Sequence, residues 1–194
     1  MSKNHKLNPD DILKAEYGYI ANTAFQANED RARVSSFYFI SVGSIVAAIL
    51  GTQFAKDNLQ SVALAFFILF AVMTVLGALT IAQLARLRAA WHESAQAMSQ
   101  LKKFYLDQYP EIAPAFKWGD ASIPPTDKPY SIANLIAREV AMLGALTSGA
   151  AVYFLFLWLG GDSGWSWILI GLSALIGFLA LWSWYKHLLV DDYK

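Results

Sequence analysis

The side chains best suited to metal or acid–base chemistry are three histidines, and their spacing favours neither. His92 precedes Glu93, but the second histidine that a zinc-protease helix needs at helical spacing is missing. The sequence has no cysteine, which excludes disulfides and thiolate metal sites. It also lacks a glycine-rich phosphate loop and a Gly-x-Ser-x-Gly elbow. We therefore expect no catalytic, cofactor-binding or metal site, and we interpret the protein as not an enzyme.

A second group of candidate functional residues carries charge next to long apolar segments. Its members are Arg31, Arg33, Arg86, Arg88, Arg138 and Glu139. In one interpretation they ring the cytoplasmic mouth of a pore between subunits. In the other they are ordinary anchors at the ends of membrane helices. The sequence favours this second interpretation for each of the six residues.

Small residues four positions apart form a third group, since this spacing lets membrane helices approach closely. The candidates are Gly43, Ala47 and Gly51, then Gly144 with Ser148, and Ser173 with Gly177. They serve either packing within one bundle or self-association. The sequence does not say which stripe serves which purpose.

The segments that position these residues are uncharged and apolar, within a chain that is 56% hydrophobic and 15% charged. They are 34–55, 59–85, 140–161 and 163–185. Each reaches the roughly 20 residues that a helix needs to cross a bilayer. Because the backbone in lipid must satisfy its own hydrogen bonds, all four should be helices. We predict an all-α, polytopic membrane protein with four transmembrane helices.

The distribution of basic residues predicts the orientation. Of 15 lysines and arginines, only Lys56 lies in a turn between paired segments. The positive-inside rule then places both termini and the central segment in the cytoplasm. We expect a multi-pass protein of the plasma (cytoplasmic) membrane, built as two hairpins (2+2). A net charge of zero gives no indication of a nucleic-acid partner.

Helical periodicity continues outside the first two spans. Leu13, Tyr17, Ile20 and Ala24 recur at three or four residues, and a similar pattern runs from Leu84 to Tyr105. We predict helices from about Asp11 to Ala55 and from Leu59 to Tyr109, the second stopped by Pro110. Their cytoplasmic parts would pack as an antiparallel coiled-coil stalk, the alternative being helices that rest on the membrane surface.

These expectations divide the chain into consecutive segments. They are an N-terminal cytoplasmic helix (1–33), transmembrane helix 1 (34–55), transmembrane helix 2 (59–85), its cytoplasmic extension (86–109), a Pro-rich cytoplasmic loop (110–130), a short helix with transmembrane helix 3 (131–161), transmembrane helix 4 (163–185) and a cytoplasmic tail (186–194). In the loop, Phe116, Trp118 and Tyr130 should dock on the stalk or on a neighbouring subunit.

The segment EYGYIANTAFQANEDRAR, residues 16–33, and the span after it resemble the SLATT-type membrane effectors of prokaryotic defence systems. The likeness lies in a cytoplasmic helix that enters a short hairpin and leaves as a long cytoplasmic helix. It covers about half of the chain, and this chain differs by its second hairpin. The resemblance implies a pore or membrane-disrupting assembly coupled to a sensor.

Two functions follow as expectations. The first is an oligomeric pore-forming or membrane-effector subunit, a homo-oligomer in the lipid bilayer controlled through its stalk. The second is a non-conducting adaptor that presents the stalk and the Pro-rich loop to a cytoplasmic protein partner. No Asp, Glu, Lys, Arg or His lies within the four apolar segments, which disfavours proton-coupled transport within one subunit.

The predicted topology can be tested with reporter fusions. A reporter after Lys194 and one inserted at Thr126 should both report the cytoplasm, and one between Gly161 and Gly164 should report the opposite side. Paired enzymatic reporters active on only one side provide the measurement. An external signal at Thr126 would contradict the orientation and the 2+2 arrangement.

Overall fold

The computed structural model describes residues 8–51, 59–117, 119–161 and 164–191, and the described chain is helical without a strand. The helices are α1 (Pro9–Gly51), α2 (Leu59–Gln108), α3 (Ile132–Trp158) and α4 (Gly164–Asp191). Two short 3₁₀ helices, Pro110–Ala115 and Asp120–Ser122, lie between α2 and α3. All four α-helices are long and apolar enough to cross a membrane. The expected all-helical chain, with four apolar helices long enough to span a membrane, is thereby confirmed.

Local sequence signals account for several helix ends. α2 gives way at Tyr109 to the 3₁₀ helix that begins with Pro110, which has no N–H to continue an α-helical ladder. At the start of α3, the Ser131 hydroxyl accepts a hydrogen bond of 3.3 Å from the N–H of Asn134. α3 then continues unbroken to Trp158, so the short helix expected before the third span is part of one helix.

Some expectations concern residues outside the described ranges. They are the end of the first helix at Ala55, the docking of Trp118, the turn with Lys56, and the tail beyond Asp191.

A buried cluster joins all four helices. Tyr38 and Val42 come from α1, and the other fully buried side chains of largest volume in it are Tyr185, Ile81, Leu84 and Val140. Because lipid tails are as apolar as these side chains, close packing has to hold the helices together. The cluster fills the space between the helices with side chains.

The closest approach in this cluster involves two glycines. A Cβ added at Gly77 would lie 2.6 Å from Oη of Tyr38 and 3.5 Å from Cα of Gly144. A Cβ added at Gly144 would lie 2.5 Å from Cδ1 of Leu181. The Tyr38 ring thus occupies space that exists because α2 and α3 carry no side chain there.

Beyond the apolar segments, α1 and α2 continue to bury side chains at helical spacing. α1 buries Ile20, Ala24 and Ala27, and α2 buries Ala89 and Ser99. The two helices contact each other. Each of these two helices therefore also has a protein-facing side outside its apolar segment.

The segment between α2 and α3 contacts these parts of α1 and α2 at some positions. Phe116 lines a groove together with Tyr17 of α1 and Leu101 and Tyr105 of α2. Tyr130 is 79% exposed, with a backbone φ of 60°. Within the subunit, Phe116 therefore lies beside α1 and α2, whereas Tyr130 is exposed, and docking on a neighbouring subunit stays a prediction.

Gly77→Val tests the close approach at Tyr38. Overpacking a filled core costs about 1–3 kcal/mol, so the variant should unfold at a lower temperature in detergent than wild type. Gly171→Val is the matched control, because a Cβ at Gly171 meets nothing within 4 Å. Thermal unfolding followed by tryptophan fluorescence is the measurement.

Tyr38→Leu provides a second check, since shortening this side chain should reduce the effect of Gly77→Val. Equal losses of stability at Gly77 and Gly171 would show that Tyr38 is not the obstacle.

Candidate functional site

Within one subunit, the six charged residues predicted at the mouth of a pore lie in different environments. Arg31 and Arg88 point into the protein, with exposures of 7% and 5%. Arg33 has a side chain that is 77% exposed and lies 3.5 Å from Asp30. Arg86 and Glu139 are also exposed. The guanidinium of Arg138 lies 5.1 Å above the Trp182 ring, an arrangement typical of a helix-end anchor.

The helical register explains why Arg31 is buried and Arg33 is not. Ala24, Ala27, Arg31, Ser35 and Tyr38 recur at three or four residues and are all buried. This face of α1 is therefore turned toward the other helices, and Arg31 lies on it. Arg33 lies about 200° further around the helix and faces out.

Two of the three guanidinium nitrogens of Arg31 lack a hydrogen-bond acceptor. Its Nε and Nη2 atoms are buried and have no partner. Burial, followed by the positive charge of Arg88, lowers the pKa of Arg31, while Tyr185 acts weakly in the opposite direction. An arginine still keeps its proton at neutral pH, so a positive charge is buried here. Such a charge is costly unless a partner compensates it.

Arg88 fixes the segment before α3 to α2. Its Nε and Nη2 atoms donate to the carbonyl oxygens of Thr126 and Pro125, both at 3.1 Å. Its guanidinium also lies 4.6 Å above the Trp91 ring. The planar fork of an arginine suits two adjacent acceptors, a geometry that lysine cannot reproduce.

Further polar side chains are buried near the same end of the apolar helices. His92 follows Arg88 by one turn of α2, and burial together with Arg88 lowers its pKa. Asn134 is buried on α3, one turn before Ala137 of the four-helix cluster, and its Oδ1 has no hydrogen-bond partner. We name the set Arg31, Arg88, His92 and Asn134 the polar junction.

The predicted small-residue stripes fall into two classes. Gly144 lies against Leu181, and the Ser148 and Ser173 hydroxyls share a hydrogen bond of 2.8 Å. A Cβ at Gly177 would lie 3.3 Å from Cβ of Ser148. These four residues therefore pack α3 against α4 within one subunit.

The stripe on α1 faces the other way. Gly43, Ala47 and Gly51 are all exposed. A Cβ added at Gly43 or Gly51 would meet nothing within 4 Å. This stripe, unlike the others, has no contact surface within the described subunit.

Sequence reasoning missed two features of the site. It treated Arg31 and Arg33 alike, although the three- and four-residue spacing from Ile20 through Ala27 to Arg31 distinguishes them. It also passed over Gly77, an isolated glycine in an apolar segment that forms no small-residue stripe. No local pattern indicates that Tyr38 packs against it.

Comparisons with known proteins give no relatives for this chain: no family model matches it, and searches of curated proteins and of solved structures found no match.

Arg88→Lys should loosen the segment between α2 and α3. Lysine keeps the charge but cannot donate to both carbonyls in the arginine geometry, and a hydrogen bond to a charged group contributes about 1.5–3 kcal/mol. We expect chymotrypsin to cleave after Tyr130, which is exposed and followed by Ser131, roughly tenfold faster or more in the variant. Limited proteolysis in detergent, with fragments identified by mass spectrometry, gives the rate.

Arg86→Lys is the matched control, since it makes the same change at an exposed position two residues away on α2. Equal cleavage rates in the two variants would contradict a role of Arg88 in holding the segment.

Proposed function

We propose that this protein is an oligomeric integral membrane protein, a pore-forming or membrane-effector subunit whose assembly is controlled through its water-exposed helices. The observation that carries the proposal is the outward-facing stripe Gly43–Ala47–Gly51 on α1. Glycine lowers helix stability, and its use in membrane helices is close backbone approach. Because this stripe has no contact inside the subunit, we propose that it packs against the same stripe or another surface of a second copy of the chain.

The arrangement that we propose is two hairpins, α1 with α2 and α3 with α4, entering the membrane from the cytoplasm. The excess of basic residues at that side supports this orientation. The buried positions of α1 and α2 outside the apolar segments support an antiparallel stalk, because a helix resting on a membrane has no protein-facing side.

Any conducting path would lie between subunits. The space between the four helices is filled by side chains such as Tyr38, Ile81 and Val140. Threonine and serine hydroxyls in the spans are partly used within the subunit, as in the 3.0 Å contact between Thr74 and Thr147. A pore between subunits would be lined by outward-facing positions.

The resemblance to SLATT-type effectors supports the same proposal through its architecture of a cytoplasmic helix, a hairpin and a second long cytoplasmic helix. The second candidate function is a non-conducting adaptor for a cytoplasmic protein. The groove lined by Phe116, Tyr17 and Tyr105 favours it, because this apolar surface lies outside the apolar segments of α1 and α2.

The double variant Gly43→Leu and Gly51→Leu tests the assembly. Both positions are open in the subunit, so the fold should remain intact while close approach of a second copy is blocked. We expect wild type to form oligomers in mild detergent and the variant to shift toward smaller species. Native mass spectrometry or mass photometry measures the distribution.

Gly171→Leu is the control for a leucine added at another open glycine, on α4. A monomeric wild type would overturn the oligomer. An unchanged oligomer in the double variant would move the interface away from this stripe.

Planar-bilayer recordings of the intact oligomer separate the two candidate functions. Steps of conductance that the double variant abolishes would support a pore. If the intact oligomer shows no conductance at any voltage, the non-conducting adaptor remains the candidate function.

A further inference from the structure

The most unusual side chain in the described structure is Arg31, a buried cation with unsatisfied donors. Its Nε and Nη2 atoms have no acceptor. The groups whose charges act on it are Arg88 and Tyr185. The first is positive, and a phenol is neutral at physiological pH. The described residues thus supply Arg31 with no anion.

The position of Arg31 along the helices indicates where a missing anion would come from. Arg31 lies three residues before the first apolar segment begins at Val34, and Arg88 lies three residues after the second ends at Ala85. Both arginines therefore lie at the boundary where lipid headgroups begin. Basic pockets between membrane helices at this depth bind phosphate-bearing headgroups.

We propose that Arg31, with Arg88 beside it, forms a binding site for a phosphate group between the helices at this boundary. The fork of Nε and Nη2 on Arg31 matches two phosphate oxygens, and the negative charge of the ligand would compensate the buried Arg31 cation.

The site is closed in the structure, since Arg31 is 7% exposed. The Pro125 and Thr126 carbonyls lie on the Arg88 guanidinium, so they have to shift when a phosphate contacts that side chain. Binding should therefore be slow. The ligand is either a lipid headgroup or a free phosphate, and the two sources can be distinguished by experiment.

The test uses full-length protein in an uncharged detergent with two sets of probes. One is sodium phosphate against sodium chloride at equal ionic strength. The other is dioleoylphosphatidylglycerol against dioleoylglycerol, which has the same acyl chains but no phosphate, in mixed micelles. Wild type is compared with Arg31→Met and with Arg33→Met, the same change at an exposed arginine on the same helix. Unfolding temperature and lipid retention in native mass spectrometry are recorded.

We expect the effective probe to raise the unfolding temperature of wild type and Arg33→Met by about 5 °C near saturation. Arg31→Met should show no such shift, and it should be more stable than wild type without a ligand, because an uncompensated buried charge is gone. A shift with phosphatidylglycerol alone assigns the site to a lipid headgroup, and a shift with inorganic phosphate assigns it to a soluble phosphate.

Equal shifts in wild type and Arg31→Met, or no shift with either probe, would overturn the proposal. A further competitor is the acidic pair Asp191 and Asp192 in the sequence. If Asp191→Asn with Asp192→Asn lowers the stability of wild type but not of Arg31→Met, these carboxylates are the counterion and the proposal is wrong.

If Arg31→Met fails to fold, Arg31→Lys tests the phosphate site instead. Lysine keeps the charge but not the fork, so retention of the bound probe should fall at least about tenfold. Equal retention of the probe by wild type and Arg31→Lys would contradict the proposed phosphate site. None of these measurements depends on oligomer formation, so failure here and failure of the proposed assembly are distinguishable.

Discussion

The packing of Tyr38 against Gly77 and Gly144 determines how close α1, α2 and α3 come to one another. In lipid, burying apolar surface gives little free energy, because the surroundings are already apolar. Helices are then held by the fit of their surfaces and by a few hydrogen bonds, such as the one between Ser148 and Ser173. The missing side chains at Gly77 and Gly144 create the space, and the large ring of Tyr38 fills it.

The sequence could predict the number and type of the helices because the lipid allows few alternatives. A long uncharged segment has to be helical, and proline and serine signals then give ends such as Pro110 and Ser131. Which helices touch depends on contacts between distant residues. The pairing of Tyr38 with Gly77 is of this kind, and no local spacing contains it.

The candidate site residues also divide into features that the sequence could identify and features that depend on distant contacts. Spacing alone identified the stripes, but Ser148 and Gly43 look alike until their neighbours are known. The first lies against α4 and the second has an open face. Arg31 and Arg33 are also alike in composition, and the register of α1 separates them. Here the sequence contained the information, in the buried series Ala24, Ala27 and Arg31.

α1 connects the two surfaces to which we assign function. Tyr38 and Gly43 are five residues apart, about 140° around the helix, so the core face and the stripe point to different sides. Arg31 lies on the core face two turns before Tyr38. α1 is one continuous helix over these positions, so a shift or rotation forced by a neighbour at Gly43 and Gly51 would also move Arg31 relative to Arg88. A ligand that fixes this arginine pair would in turn bias the angle at which the stripe is presented. Such coupling needs no further pathway, because both contacts act on the same helix.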